Sequence, residues 1–203
     1  MHLLGNHTSP FVRQVRIAAA IKGLAGRIPL QIVDTNPPGN AELVHSNPLG
    51  KIPVLVLDDG TRLYDSRVIA EAIDSLTAEP RLFPPSGPAR FEMLTRVALA
   101  DGIKEAAVLV FYEGRLRSEA QRSADWLARQ QGKIDAALAH LEGNVPDWSP
   151  APDYGHVSLA AALGYLDFRQ EGSWRASHPR LVDWRDHFAA AIPAFAETAP
   201  PPG

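Results

Sequence analysis

Short apolar runs fill the first part of the chain, and apolar residues at helical spacing fill the rest. Residues 2–5, HLLG, make a run suited to a buried strand. In the following NHTSPFVRQVRIAAAIKG, Val12, Val15 and Ala19 fall on one helical face. Pro10 suits a first helical turn there and Gly23 a C-terminal stop. RIPLQIVD (27–34) predicts a second strand, and residues 37–48 predict a loop with at most a short helix. VLVL (54–57) and TRLY (61–64) flank DDG, which is a hairpin signal. DSRVIAEAIDSL (65–76) predicts a helix capped by Ser66. The order is therefore β-α-β-(α)-β-β-α.

The texture then changes. AEPRLFPPSGPAR (78–90) is rich in proline and reads as a linker. No strand pattern follows it. Residues 89–117 predict a long helix, with Gly102 and Gly114 as weak points. Leu127, Ile134, Leu138 and Leu141 share a face of a second helix. GNVPDWSPAPDYG (143–155) reads as a loop. Leu159, Leu163 and Leu166 line a third helix, and Leu181, Trp184 and Phe188 a fourth, shorter one. PPPG closes the chain as a loose tail. The expected class is α/β plus all-α. Its domains are residues 1–78, a linker at 79–87 and a helical domain at 88–203.

Composition narrows the chemistry. The chain has 203 residues, 45% of them hydrophobic, which is enough to build a core and excludes a generally disordered chain. A net charge of −3 offers no global field for nucleic acid or anionic membrane. The basic stretch RLRSEAQR (115–122) is broken by Glu119 and reads as a solvated helix end. The absence of cysteine excludes disulfides, thiolate metal sites and a protein thiol nucleophile. MHLLGNHTSPFVR lacks the basic start and long apolar core of a signal peptide, and no apolar run could span a bilayer. The sequon NHT (6–8) accordingly carries no expectation of glycosylation. The seven histidines show no metal-site spacing, and nucleotide-binding glycine motifs and a G-x-S-x-G elbow are missing. Neither nucleic acid, membrane nor metal is expected as a partner.

One segment does not fit a plain strand. In NPLGKIPVL (47–55), Pro53 removes a backbone donor near the start of an apolar run. Together with SPFVRQVRIA (9–18), LYDSRVIAEAID (63–74) and the linker-helix layout behind them, this stretch resembles the cytosolic glutathione S-transferases over nearly the whole chain. The resemblance implies a thioredoxin-like domain followed by an all-helical domain. It implies a cis bond at Pro53, turning the backbone N–H and C=O of Ile52 outward to pair with glutathione's cysteinyl unit like one more strand. An ordinary trans proline at an edge-strand start is the alternative.

The resemblance also implies site residues. Asp65 and Ser66 would hold the γ-glutamyl end of glutathione, the helix start attracting its carboxylate and Asp65 its ammonium. Capping alone would explain the same two residues. Lys51 would hold the glycyl carboxylate or remain a solvated loop lysine, and Phe11 would complete the glutathione-binding set. Ser9, before Pro10, matches the family's catalytic Tyr, Ser or Cys. Its hydroxyl and the positive end of the helix would favour the thiolate of glutathione over the thiol. A simple N-cap role for Ser9, or donation by Thr8 or His7, stays open. Phe111 and Tyr112 would line the electrophile pocket, although adjacent residues point to different helix faces and one of them suits core packing. Where the family usually places Ser or Thr and then Asp three residues on, this chain has Ser158 and Ala161, so half a capping box is expected to be lost.

The implied function is transfer of glutathione, as co-substrate and without metal, to small apolar electrophiles by a cytoplasmic homodimer acting in detoxification. Glutathione-dependent peroxide or disulfide reduction, and a non-catalytic binding or interaction protein, are the competing readings.

Overall fold

The strand β1 (His2–Gly5) is the centre of the first half. In the computed structural model, which describes residues 1–36 and 40–201, it pairs in parallel with β2 (Leu30–Ile32) and antiparallel with β3 (Val54–Val56). A short β4 (Arg62–Leu63) completes the sheet in the order β2-β1-β3-β4. Pro37 to Gly39 of the expected loop, and Pro202 and Gly203 of the expected tail, lie outside the described residues.

Both faces of β1 are covered, which is why HLLG reads as a run and not an alternation. Leu3 and its antiparallel partner Leu55 meet Val12, Val15 and Ala19 of α1 (Pro10–Ile21) and Ile69 and Ile73 of α3 (Ser66–Ser75). Leu4 and its partner Val54 face the other way, toward Val33 and Leu43 of the short α2 (Ala41–Ser46). A β-carbon on Gly5 would come within 2.7 Å of Val12 Cγ2, so glycine is what lets α1 lie this close to the sheet. Gly23, at φ 70°, stops α1 in the left-handed region.

The proline-rich segment after α3 is pinned. The fully buried Lys22 ammonium donates to Asp74 Oδ1 (2.9 Å) and to the carbonyls of Thr77 (2.8 Å) and Pro80 (2.7 Å). Asp74 in turn accepts from the backbone N–H of Leu82 and Phe83. The last helix, α8 (Ala194–Glu197), belongs to this unit: Arg13 of α1 donates to the Phe195 carbonyl at 2.7 Å and stacks over its ring. The chain thus forms one compact unit from Met1–Pro85 with the segment from Ile192 onward, and a second from Ser86–Ala191. The helical part expected over 88–203 gives up its C-terminal segment to the first unit.

The second unit holds α4 (Gly87–Leu116), α5 (Ala124–Gly143), α6 (Tyr154–Arg169) and α7 (Pro179–Ala191). Among the described residues no strand follows β4. Gly102 and Gly114 lie within an uninterrupted α4. Helix α6 is buried all round from Tyr154 to Leu166, the mark of a central helix. It begins four residues before the expected Ser158, because Asp153 is its N-cap and His156 closes the box. Asp153 accepts from the His156 backbone N–H at 3.0 Å, and His156 Nδ1 accepts from the Asp153 backbone N–H at 3.2 Å. The box expected to be half lost is therefore complete at another position. Ser158 is instead a buried acceptor for the Lys104 ammonium, at 2.9 Å.

Burial alone would raise the Asp153 carboxyl, but hydrogen bonding with His156 and the charge of Arg96 hold it below the ordinary range. Its contribution to stability is present above the unfolded value of ~3.9 and is lost as pH falls through the folded value. Asp153→Asn keeps a capping side chain but removes the titration. The stability difference between wild type and this variant, from urea unfolding at pH 7 and again below pH ~4, should shrink on acidification. An unchanged difference would refute this account of Asp153.

Candidate functional site

Strand register brings three separate segments to one end of the sheet. Leu4 opposite Val54 puts the end of β1, and the loop to α1, beside the start of β3. Leu55 opposite Leu63 puts the end of β4, and the start of α3, beside the same place. Ser9, Ile52–Pro53 and Asp65–Ser66 therefore share this edge. A buried hydrogen bond joins two of the segments directly: Gln14 Nε2 of α1 donates to Ser66 Oγ of α3 at 2.9 Å.

Ser9 caps α1, its Oγ accepting from the Val12 backbone N–H at 3.3 Å. Capping uses the oxygen as acceptor. Among the described residues nothing accepts the Ser9 hydroxyl proton, so one oxygen can cap the helix and donate outward. The loop before it is organised by Asn6, whose Oδ1 accepts from the backbone N–H of Ser9 (2.9 Å) and from both the N–H and hydroxyl of Thr8 (3.2 Å each). Thr8 thus commits its proton to Asn6. His7 is exposed.

The Ile52–Pro53 peptide bond is cis. Pro53 is buried and Ile52 half-buried, and among the described residues neither the N–H nor the C=O of Ile52 has a hydrogen-bond partner. The loop leading to it is shaped by Asn47, which donates from Nδ2 to the Lys51 carbonyl (2.9 Å) and accepts at Oδ1 from Leu49 N–H (3.0 Å). Lys51 is exposed, and its ammonium forms no ion pair among the described residues.

Asp65, not Ser66, caps α3: its carboxylate accepts from the Arg67 backbone N–H at 3.0 Å. Arg67 Nη2 donates to the same carboxylate at 3.0 Å. Burial pushes the Asp65 carboxyl up, but the Arg67 hydrogen bonds and charge outweigh it and leave it below the usual range. Asp65 is therefore ionised at neutral pH and stays half-exposed. Ser66 is buried at the first helical position. The Tyr64–Asp65 peptide bond is also cis. Phe11, on the first turn of α1, is half-buried.

Phe111 and Tyr112 lie in the second unit on α4, both half-buried, with ring centroids 5.4 Å apart in an edge-on arrangement. Sequence reasoning passed over Asn6, Gln14 and Asn47. The two asparagines carried a readable signal, since Asn two or three residues ahead of a turn commonly accepts from its backbone. Gln14 carried none, because its partner is far along the chain. Among the described residues no group of His, Asp and Glu could hold a metal ion, and no helix is long and apolar enough to cross a membrane.

Comparison with known proteins points the same way. Residues 8–76 match the family model of the glutathione S-transferase N-terminal domain, and residues 124–187 that of its C-terminal domain. The chain is 36% identical to the uncharacterized GST-like protein YibF of Escherichia coli, over 99% of both chains. Among solved structures it resembles a glutathione transferase family member from Pseudomonas fluorescens with bound glutathione. That pair shares 42% identity and a TM-score of 0.91 over 98% of each chain. A structure of a Pseudomonas fluorescens family member with bound S-(propanoic acid)-glutathione gives 40% identity and a TM-score of 0.88, covering 99% of this chain and 100% of that one. With both family models matched in order and relatives aligned end to end, the chain belongs to the glutathione S-transferase family.

Proposed function

We propose that the protein is a glutathione S-transferase that conjugates the glutathione thiolate to small electrophiles. The observation that carries this reading is the Ser9 hydroxyl. It sits at the N-terminus of α1 with its proton uncommitted, on the sheet edge where Ile52 offers an open backbone N–H and C=O. Glutathione's cysteinyl unit pairs with Ile52, and its thiol lies at Ser9. The γ-glutamyl end meets the α3 start, where ionised Asp65 takes the ammonium, and Lys51 takes the glycyl carboxylate. Phe11 contacts the peptide beside Ser9. The hydroxyl and the helix dipole stabilise the thiolate. With 1-chloro-2,4-dinitrobenzene the sulfur forms a bond to the ring carbon, the carbon–chlorine bond breaks, chloride leaves with the electron pair, and the thiol proton passes to solvent. The glutathione thioether bound to a solved relative supports conjugation as the reaction. Turnover of that substrate followed at the thioether absorbance tests the proposal. Glutathione binding by calorimetry without conjugation would replace it by a reductase, if peroxides or disulfides are consumed, or by a binding protein if they are not.

Ser66→Ala should weaken glutathione binding by about 1–2 kcal/mol, the scale of a hydrogen bond to a charged group. Calorimetry on the folded variant checks this. Unchanged affinity would leave Ser66 a structural role, to which its bond from Gln14 belongs.

The same reading makes the protein a cytoplasmic homodimer serving detoxification. Exposed apolar side chains in each unit, Leu49 at 70% and Phe91 at 68% exposure, suit burial against a second copy. A dimer mass by light scattering at micromolar concentration is expected, and a monomer mass would overturn the assembly.

A further inference from the structure

Asn6 follows the last residue of β1 and orders the turn into α1. Its Oδ1 accepts from the backbone N–H of Ser9 at 2.9 Å, and from the N–H and the hydroxyl of Thr8 at 3.2 Å each. Three donors on one atom settle the orientation of the carboxamide, since an NH2 group could accept none of them. The Nδ2 group therefore faces away from those donors, and among the described residues it donates to nothing. The side chain is half-buried and held at its oxygen, so its two N–H donors have a fixed place.

Strand register says where that place is. Leu4 stands opposite Val54, and Gly5 accepts from Val33 N–H on its other side. Continued by two residues, the antiparallel register brings Asn6 to Ile52, whose backbone N–H and C=O are open. Asn6 thus lies between the two groups assigned above to the cysteinyl unit of glutathione. One is the Ile52 backbone. The other is Ser9, to which Asn6 is hydrogen-bonded.

Making the turn needs only the oxygen. Aspartate, serine or threonine at this position would accept the same N–H groups. Asparagine adds a pair of uncharged donors. Donors held in place ahead of the reaction stabilise a developing anion without reorganising, whereas an aspartate would repel it.

We propose that Asn6 is a second catalytic residue, its Nδ2 group donating to the glutathione thiolate beside the Ser9 hydroxyl. The sulfur then receives two hydrogen bonds, from Ser9 Oγ and from Asn6 Nδ2. The thiol proton passes to solvent, because the amide has no basic site to take it. This deepens the transferase reading and rests on it for the identity of the bound thiol.

The measurement is the titration of glutathione bound to the enzyme, followed by the ultraviolet absorbance of its thiolate with no electrophile present. Asn6→Ala should raise the apparent pKa by about one pH unit and lower turnover of 1-chloro-2,4-dinitrobenzene about 10-fold at a pH below both values. Affinity for S-methylglutathione, which has no thiolate, should be kept. A residue that only positioned Ser9 would act through its hydroxyl, and Asn6→Ala would then add nothing in the Ser9→Ala background. A further rise in that background supports direct donation, and no further rise overturns it. Equal losses of affinity for glutathione and S-methylglutathione, with the titration unmoved, overturn it as well. Asn6→Asp keeps the accepted hydrogen bonds and loses the donors. It should raise the pKa more than alanine does, and it decides the matter if the alanine variant does not fold: an unmoved titration overturns the proposal. The titratable groups on this edge of the sheet, His7, Asp34, Lys51, Asp65 and Arg67, are the same in every variant, so differences between variants report Asn6. Failure of conjugation in an enzyme that gives this titration defeats the transferase reading and leaves the inference standing. A wild type that does not bind glutathione defeats both.

Discussion

Asp101→Ala should destabilise the protein by about 3–5 kcal/mol, the scale for removing one partner of a buried ion pair. The side chain of Lys104 is fully buried in the helical unit. Its ammonium lies 2.8 Å from Asp101 Oδ1, one turn earlier on α4, and donates to Ser158 Oγ of α6 at 2.9 Å. Ser158 also reaches back to Asp101, at 3.4 Å. The cluster fastens the two helices that share the largest interface of this unit. Truncating the carboxylate leaves a buried cation short of its counter-charge, and desolvation is no longer offset. Replacing both members, Asp101→Leu with Lys104→Met, removes the charge together with its partner and should cost much less than the single change. Urea unfolding followed by tryptophan fluorescence measures all three proteins. A single variant as stable as wild type, or a double variant worse than the single, would show that the pair is not what holds α4 to α6.

Ser9→Ala should lower turnover with an aromatic electrophile by about 10–100-fold, corresponding to ~1.5–3 kcal/mol for a hydrogen bond to a charged group. Glutathione affinity should change less, since the contacts proposed at Ile52, Asp65 and Ser66 do not involve the hydroxyl. The pH dependence separates this from simple loss of the cap. If the hydroxyl stabilises the thiolate, its removal raises the apparent pKa of bound glutathione. The deficit is then largest below the wild-type value and shrinks as pH rises above both values, where the thiolate forms unaided. Loss of the cap alone costs about 1 kcal/mol of stability and leaves the pH profile in place. Coincident profiles would transfer the role to another donor. Thr8 is the weaker substitute, because its hydroxyl already donates to Asn6.

Legibility followed the range of the interactions. The faces of α1 and α3 were readable because periodicity reports burial on a single element: Val12, Val15 and Ala19 are buried together, as their spacing requires. The same holds for Leu181, Trp184 and Phe188 on α7. The cis proline was readable only through its neighbours in NPLGKIPVL, since nothing about an isolated proline distinguishes the two isomers. Helix caps were misplaced by one residue at α3 and by five at α6. Each time an aspartate competed with a serine for the cap, and the chain alone does not say which side chain faces the first turn.

What the sequence determined by itself was the local alternation of strand and helix, the apolar faces and the division into an α/β part and a helical part. These depend on residues a few positions apart. Tertiary structure alone decided the partners: Gln14 with Ser66, Lys22 with Asp74 and Pro80, Arg13 with Phe195, Lys104 with Ser158, and Arg169 among its rings. A polar or charged side chain in a sequence looks equally ready for water, for a counter-ion or for a carbonyl. Only packing removes the water and leaves one partner within hydrogen-bond distance. For that reason lysines 22 and 104 could not be told apart from solvated ones, and the last helix could not be assigned to the first unit, until the chain was folded.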